Sequence, residues 1–291
     1  MNNIVQDIMD EFANLGFLSH NYGSNGKSAI GMWREEQMYL LDLALRAPYG
    51  NFLEVGSFQG GSACLLGGAI IAGERDTKLY CVDIDFSGHN NAFDYNVFKR
   101  GKFGDVVSLI ETNTKYLAEQ LDRINDLKIG FAFLDGYHSY KAVVTEFEAI
   151  KPYLVDDAIV ALHDAQPLNG LHIEDVTYRA NIFYNEYMNT EMPDVDSSDL
   201  AKYHAMEQKQ DFLILEAACY LKSKYNLEFI TTPDDYKCDY SHITGGYKHG
   251  QTSPYNSILA LRYRKNKVEI IKDNLGAVII DVDRVKKADF S

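Results

Sequence analysis

The chain has 291 residues, of which 46% are hydrophobic and 24% charged, enough for one large α/β domain with additions. Its 28 Lys and Arg against 42 Asp and Glu give a formal net charge of -14. A surface that acidic repels phosphate backbones and anionic headgroups, so nucleic acid and membrane are excluded as expected partners. The longest apolar run, Ala63 to Gly73, is far short of the ~20 residues of a membrane span. The start, Met1-Asn2-Asn3-Ile4, has neither the basic nor the apolar region of a signal peptide. Cys64, Cys81, Cys219 and Cys238 make no CxxC pair and no zinc spacing, and Cys64 and Cys81 lie in apolar segments as small core residues. A reduced, cytoplasmic protein is expected.

Residues 1–50 read as a helical, amphipathic N-terminal segment on the cap or substrate side, broken at Asn21-Tyr22-Gly23-Ser24-Asn25-Gly26. Its clearest helix is Glu35 to Ala47, with Met38, Leu41 and Leu45 on one face. From there the pattern becomes strand and helix in alternation. Strands are expected at Phe52–Val55, Lys78–Ile84, Val106–Glu111, Ile129–Leu134 and Ala158–Leu162. Helices are expected at Ser62–Ala72, Tyr116–Ile124 and Lys141–Ile150. Such alternation implies a parallel sheet with helices on both faces and ligands at the C-terminal ends of the strands. Residues 166–210 are polar and aromatic, with an Asp/Ser-rich stretch at Asp194–Asp199, and read as a lid or surface insertion after the fifth strand. A helix at Phe212–Tyr225, strands at Leu227–Thr231 and Ile258–Tyr263, and a hairpin over about 267–282 (Lys267–Ile271 and Ala277–Val282) complete the chain. That hairpin either completes the sheet or pairs with another copy, so a homo-oligomer is open.

Phe52 to Ser62 reads as strand, glycine turn and helix, with the loop Glu54-Val55-Gly56-Ser57-Phe58-Gln59-Gly60-Gly61-Ser62. Gly56 allows a sharp turn, and Gly60 and Gly61 let backbone approach a ligand where a Cβ would collide. Free N–H groups at the next helix start, with Ser57 and Ser62 beside them, can meet polar ligand atoms. The spacing is not the Gly-x-Gly-x-x-Gly of dinucleotide enzymes, since Phe58 stands at the second glycine. Glu54 is an acid inside an apolar strand, where a charge needs a partner. Asp83 ends the next strand in Tyr80-Cys81-Val82-Asp83-Ile84-Asp85, where an acid commonly takes both hydroxyls of a ribose. Asp85 either shares that task or lies at the surface.

Glu-x-Gly-x-x-x-Gly-Gly-Ser followed by Val-Asp-Ile resembles the class I S-adenosylmethionine (SAM)-dependent methyltransferases. The closer resemblance is to the branch with macrocin- and mycinamicin-type sugar O-methyltransferases and cephalosporin-hydroxylase-like proteins, over about residues 50 to 165. It implies a Rossmann-like seven-stranded sheet of order 3-2-1-4-5-7-6 with strand 7 antiparallel, so that 51–291 forms the methyltransferase domain. It also implies that Thr112 and Asn113 contact the adenine, although Asn-Thr is equally a good helix cap.

A second group of residues follows the fourth and fifth strands, in Asp135-Gly136-Tyr137-His138-Ser139-Tyr140 and in His163-Asp164-Ala165. Neighbouring strands lie about 4.8 Å apart, so Asp135 and Asp164 are expected to converge. Two carboxylates that close repel unless a proton or cation lies between them, and an oxygen-rich pair suits Mg²⁺. The resemblance implies Asp135 and Asp164 as metal ligands and His138 as general base. His163 departs from it, standing where the macrolide enzymes carry an acid, and is a nitrogen ligand, an outer contact or a substrate contact. Asp135 is counted with His138 as catalytic and with the loop as a cofactor contact. The expected activity is metal-assisted O-methylation of a hydroxyl on a sugar or other small molecule. The rivals are a nicotinamide-dependent oxidoreductase and a non-catalytic SAM-binding accessory protein. His172, His204, His242 and His249 show no ligand spacing, and Ser253-Pro254-Tyr255-Asn256 lies in the wrong place for an amino-methylating motif. Trp33 and the tyrosines between 178 and 203 could wall an acceptor pocket or simply pack.

Overall fold

A computed structural model describes residues 3–14, 32–87, 91–165, 188, 214–237 and 257–265, and the backbone of 88–90, 268–273 and 276–281. Helices α1 (Asn3–Asn14) and α2 (Arg34–Arg46) lead into β1 (Asn51–Val55), α3 (Gly61–Ala72) and β2 (Leu79–Asp83). Then come α4 (Gly88–Phe93), running into a π-helical stretch at Asp94–Arg100, β3 (Val107–Glu111), α5 (Leu117–Leu121) and β4 (Ile129–Leu134). The chain continues through α6 (Tyr140–Ile150), β5 (Leu154–Leu162), α7 (Ile214–Lys224), β6 (Leu227–Ile230) and β7 (Leu259–Tyr263). Strands β8 (Val268–Asp273) and β9 (Gly276–Asp281) form the antiparallel hairpin expected at the end, as a separate two-stranded sheet.

The main sheet has the order β3-β2-β1-β4-β5-β7-β6, with β7 antiparallel to both neighbours and the other pairings parallel. This is the order that the resemblance implies. β4 lies at its centre and is buried along its whole length, which is why its sequence is a continuous apolar run and not an alternation. One face of the sheet is covered by α1, α2 and α3, and the other by α5, α6 and α7.

Three elements depart from the sequence reading. Helix α2 is not amphipathic in place: every residue from Glu36 to Ala44 is buried, because the helix lies between α1, α3 and the 3₁₀ turn at Asp234–Tyr236. Helices α1 and α2 therefore contribute to the main core, with Val5, Met9 and Phe12 in the same cluster as Phe52 and Phe131. The C-terminal end of α2 is tied down by Arg75, whose guanidinium donates to the carbonyls of Leu45, Ala47 and Pro48. Strand β5 begins at Leu154, ahead of the expected Ala158, because the register jumps from Ile129↔Leu154 to Phe131↔Ile159 and the acids between bulge outward. The helical run over Gly88–Arg100 has no counterpart among the expected elements.

The Asn21–Gly26 break, the 166–210 insertion apart from Met188, Cys238, the tyrosines between 178 and 203, His172, His204, His242, His249 and Ser253–Asn256 lie outside the described residues.

Candidate active site

The site lies at the C-terminal ends of β2, β1, β4 and β5. The glycine turn after β1 comes first. Gly56 has φ +85°, and a Cβ there would lie 2.1 Å from the carbonyl oxygen of Asp135. Gly60 has φ +81° as the N-cap of α3, and a Cβ would lie 2.5 Å from Val97 Cγ2. The room these two glycines leave is thus filled by the chain's own β4 loop and π-helical stretch, and they shape the turn by close packing. Phe58 holds φ +44°, unusual for a bulky residue, and its N–H donates to Asp83 Oδ2 at 2.8 Å. Asp83 Oδ1 accepts from the N–H of Asp85 at 3.2 Å. Burial raises the Asp83 pKa, against the pull of these backbone donors. The Asp85 carboxylate is used elsewhere: it accepts from both the N–H and the hydroxyl of Ser87.

Glu54 is fully buried in β1, and among the described residues neither carboxyl oxygen has a partner within full hydrogen-bond geometry, although Ser57, Ser62 and Cys81 face it. Burial pushes its pKa up to about 7. The Ser57 hydroxyl is also buried and has no partner in full hydrogen-bond geometry among the described residues. Buried polar atoms of this kind call for a partner, and a cationic, hydroxyl-rich ligand on the turn would supply one. Thr112 donates its N–H to the Asp83 carbonyl at 2.8 Å, which puts the loop after β3 beside the end of β2. Asn113 acts as a cap, its Oδ1 accepting from Lys115 N at 3.0 Å, the alternative that its sequence left open.

The second group assembles because the ladder continues past the strand ends. Asp135 N–H donates to the Val55 carbonyl at 2.8 Å and His163 N–H to the Leu134 carbonyl at 3.1 Å, which sets the two side chains next to each other. Asp135 Oδ1 lies 3.1 Å from His138 Nε2 and 2.8 Å from His163 Nδ1. Asp164 has φ +51°, which turns its carboxylate back so that Oδ2 is 3.3 Å from His138 Nδ1 and Oδ1 is 3.7 Å from His163 Nδ1. The two acids face the same two imidazoles, which lie between them. Burial opposes charge on all three central groups, and their mutual attraction outweighs it. Asp135 is held down at about 2 by His163 and His138. His138 is raised by Asp135 and Asp164, and His163 is raised well above its ordinary value by the same two acids.

Ligand atoms of Asp135, His138 and His163 all lie within 4.8 Å of one another, close enough to hold a metal ion. His138 thus lies with Asp135 and His163 in one cluster, and Asp164 stands beside it, within 3.3 Å of His138 and 3.7 Å of His163. Two imidazole nitrogens also alter the chemistry. Mg²⁺ prefers an all-oxygen shell, whereas nitrogen with carboxylate suits a divalent transition ion.

Two buried acids at the site escape the sequence reading. Glu146, on α6, is 1% exposed; its Oε1 accepts from Thr114 Oγ1 at 3.0 Å and would lie 2.8 Å from a Cβ at Gly136. Burial pushes its pKa up to about 8. Its signal is an acid on the same helix face as Val143 and Ile150. Glu36, on α2, approaches His163 from the other side, with Oε2 3.9 Å from Nε2.

Residues 53–165 match a family model described as a methyltransferase domain. No curated protein matches the chain. Among solved structures, a Podospora anserina methyltransferase bound to S-adenosylhomocysteine (SAH) aligns at 12% identity over 91% of this chain and 89% of that one, with a TM-score of 0.49. A Bacillus cereus O-methyltransferase in complex with SAH aligns at 11% identity over 91% of this chain and 92% of that one, with a TM-score of 0.43. A Streptomyces achromogenes O-methyltransferase involved in tomaymycin synthesis, in complex with SAM, aligns at 13% identity over 91% of each chain, with a TM-score of 0.44. The family match runs from β1 to the residue after Asp164, so the segment that carries the glycine turn, Asp83, Asp135, His138, His163 and Asp164 is similar to a methyltransferase domain.

Proposed function

We propose that this chain is a SAM-dependent methyltransferase that methylates a hydroxyl oxygen of a small acceptor, a sugar or another polyol. The observation that carries the reading is the convergence of two sets of groups on one sheet edge. Asp83, Glu54 and Ser57 surround the turn after β1, and Asp135, His138, His163 and Asp164 lie at the ends of the two strands beside it. The first set suits a nucleoside with a cationic group: Asp83 for the ribose hydroxyls, Glu54 for positive charge. The second set suits removal of a proton from an alcohol.

In the transfer, an acceptor oxygen attacks the sulfonium methyl group; the C–O bond forms, the C–S bond breaks and SAH leaves. The methyl group is already activated, so the protein's part is in-line placement and acceptance of the hydroxyl proton. His138 is the group to accept it. Its neighbours favour the protonated ring, so it serves as base once that proton has left, and His163 keeps Asp135 ionised beside it. Alternatively, Asp135, His138 and His163 could hold a divalent transition ion; His138 would then be a ligand and not the base, and the ion would lower the pKa of a coordinated hydroxyl. The net charge of -14 favours a small acceptor over nucleic acid. No described helix is long and apolar enough to cross a membrane.

The test is transfer of isotope-labelled methyl from SAM to a panel of sugars, polyols and catechols, with and without Mn²⁺, Co²⁺ or Mg²⁺. Labelled product that disappears in His138→Ala supports the reading. SAM binding without transfer to any acceptor would favour an accessory protein instead.

A further inference from the structure

We infer that Glu36 is a positioning residue for His163, so that the site is completed by helix α2 and by Ser257 on the approach to β7, both outside the methyltransferase-like segment. Glu36 is 2% exposed, and a charge that deep is costly without close partners. Its partners come from two distant parts of the chain. Oε2 accepts the Trp33 N–H at 2.9 Å, and Oε1 accepts both the N–H of Ser257, at 3.2 Å, and its hydroxyl. The Ser257 carbonyl in turn accepts the N–H of Ala165 at 2.9 Å, two residues after His163. One carboxylate thus joins the start of α2, the end of β5 and the approach to β7.

The remaining contact points into the site. His163 is 7% exposed, and its Nε2 is buried with no hydrogen-bond partner among the described residues; Glu36 Oε2 stands 3.9 Å away. The other ring nitrogen is 2.8 Å from Asp135 Oδ1. The imidazole therefore lies between two carboxylates. A ring flip would turn carbon toward Asp135 and would lose both contacts. A helix-capping role explains the bond to Trp33. It does not explain the two bonds to Ser257 or the approach to His163. By fixing the ring from behind, Glu36 determines which His163 nitrogen meets Asp135, and through Asp135 where His138 stands.

The kinetic half of this inference rests on the methyltransferase reading; the geometric half does not. Glu36→Gln in the full chain keeps the size and one acceptor oxygen for Ser257 but removes the charge. At one fixed pH, the His163 ring-nitrogen resonances, assigned with His163→Gln, are expected to move in Glu36→Gln. SAM affinity should hold, while kcat falls roughly ten- to hundredfold. Ser257→Ala, which keeps the charge and drops one bond, should move the same resonances less and in the same direction, and it serves if Glu36→Gln does not fold. Unmoved His163 resonances in the folded variants, with only a lower melting temperature, would make Glu36 a helix cap and overturn the inference. Moved resonances in a protein that transfers no methyl group would keep the positioning role and sink the methyltransferase reading alone.

Discussion

Replacing Glu54 by Gln should stabilise the ligand-free protein at pH 8 and change it little at pH 4.5. The Glu54 carboxyl is fully buried, and burial pushes its pKa from 4.5 to about 7 against the pull of Ser57, Ser62 and Cys81. Unfolded chain releases this proton near 4.5, and folded protein holds it to about 7. Between those values the folded state binds more protons, so stability falls as pH rises, and the full cost is present above pH 7. At about 1.4 kcal/mol for each pH unit, the gap is worth about 3 kcal/mol. The amide of the Glu54→Gln variant carries no charge to desolvate and removes that cost. The assay is urea denaturation of both proteins at both pH values, comparing midpoints at equal m-value. SAM added to the wild type at pH 8 should recover much of the loss, because its positive charge would favour the ionised carboxylate. A variant destabilised at pH 8, or offset equally at both pH values, would refute the reasoning.

Gly56→Ala should cost about 3 kcal/mol or more, since its φ is +85° and the new Cβ would lie 2.1 Å from the Asp135 carbonyl oxygen. An unchanged urea midpoint would mean that the turn relaxes freely. His138→Ala and Asp164→Ala should each abolish turnover while SAM still binds, which equilibrium dialysis beside a rate assay would check; loss of SAM binding in both would place them in the cofactor site instead. Removing residues 1–50 should abolish cooperative folding, because Met38 to Ala44 of α2 are buried, most of them in the common core. A sharp thermal transition from the truncated chain would show the segment to be a dispensable cap.

How far the sequence carries depends on what each residue's signal depends on. Ile129–Leu134 is legible to the residue because a strand buried on both faces must be apolar throughout. β5 reads short because Asp156 and Asp157 interrupt its apolar run, and only the bulge, with φ +65° at Asp157, lets the strand begin ahead of them. Met38, Leu41 and Leu45 give α2 a single apolar face, but Glu36, Gln37 and Asp42 are buried too, through packing that no periodicity records. At the site, the strand-end positions of Asp83, Asp135 and Asp164 follow from the alternation of elements. The approach of the Asp164 carboxylate to both imidazoles does not, because it goes with the left-handed backbone of that residue. Glu36 looks like an ordinary acid in the first turn of a helix; its meaning comes from Ser257 and His163, which are brought to it by the fold.

The most direct test of the account is calorimetric titration of SAM and of NAD⁺ into the wild type and into Asp83→Asn. Asp83→Asn keeps the shape of the strand end but loses the charged acceptor for the ribose hydroxyls. Saturable one-to-one binding of SAM to the wild type is expected, about tenfold or more weaker in the variant, with no heat from NAD⁺. Binding of NAD⁺ in place of SAM, or SAM affinity indifferent to Asp83, would contradict it.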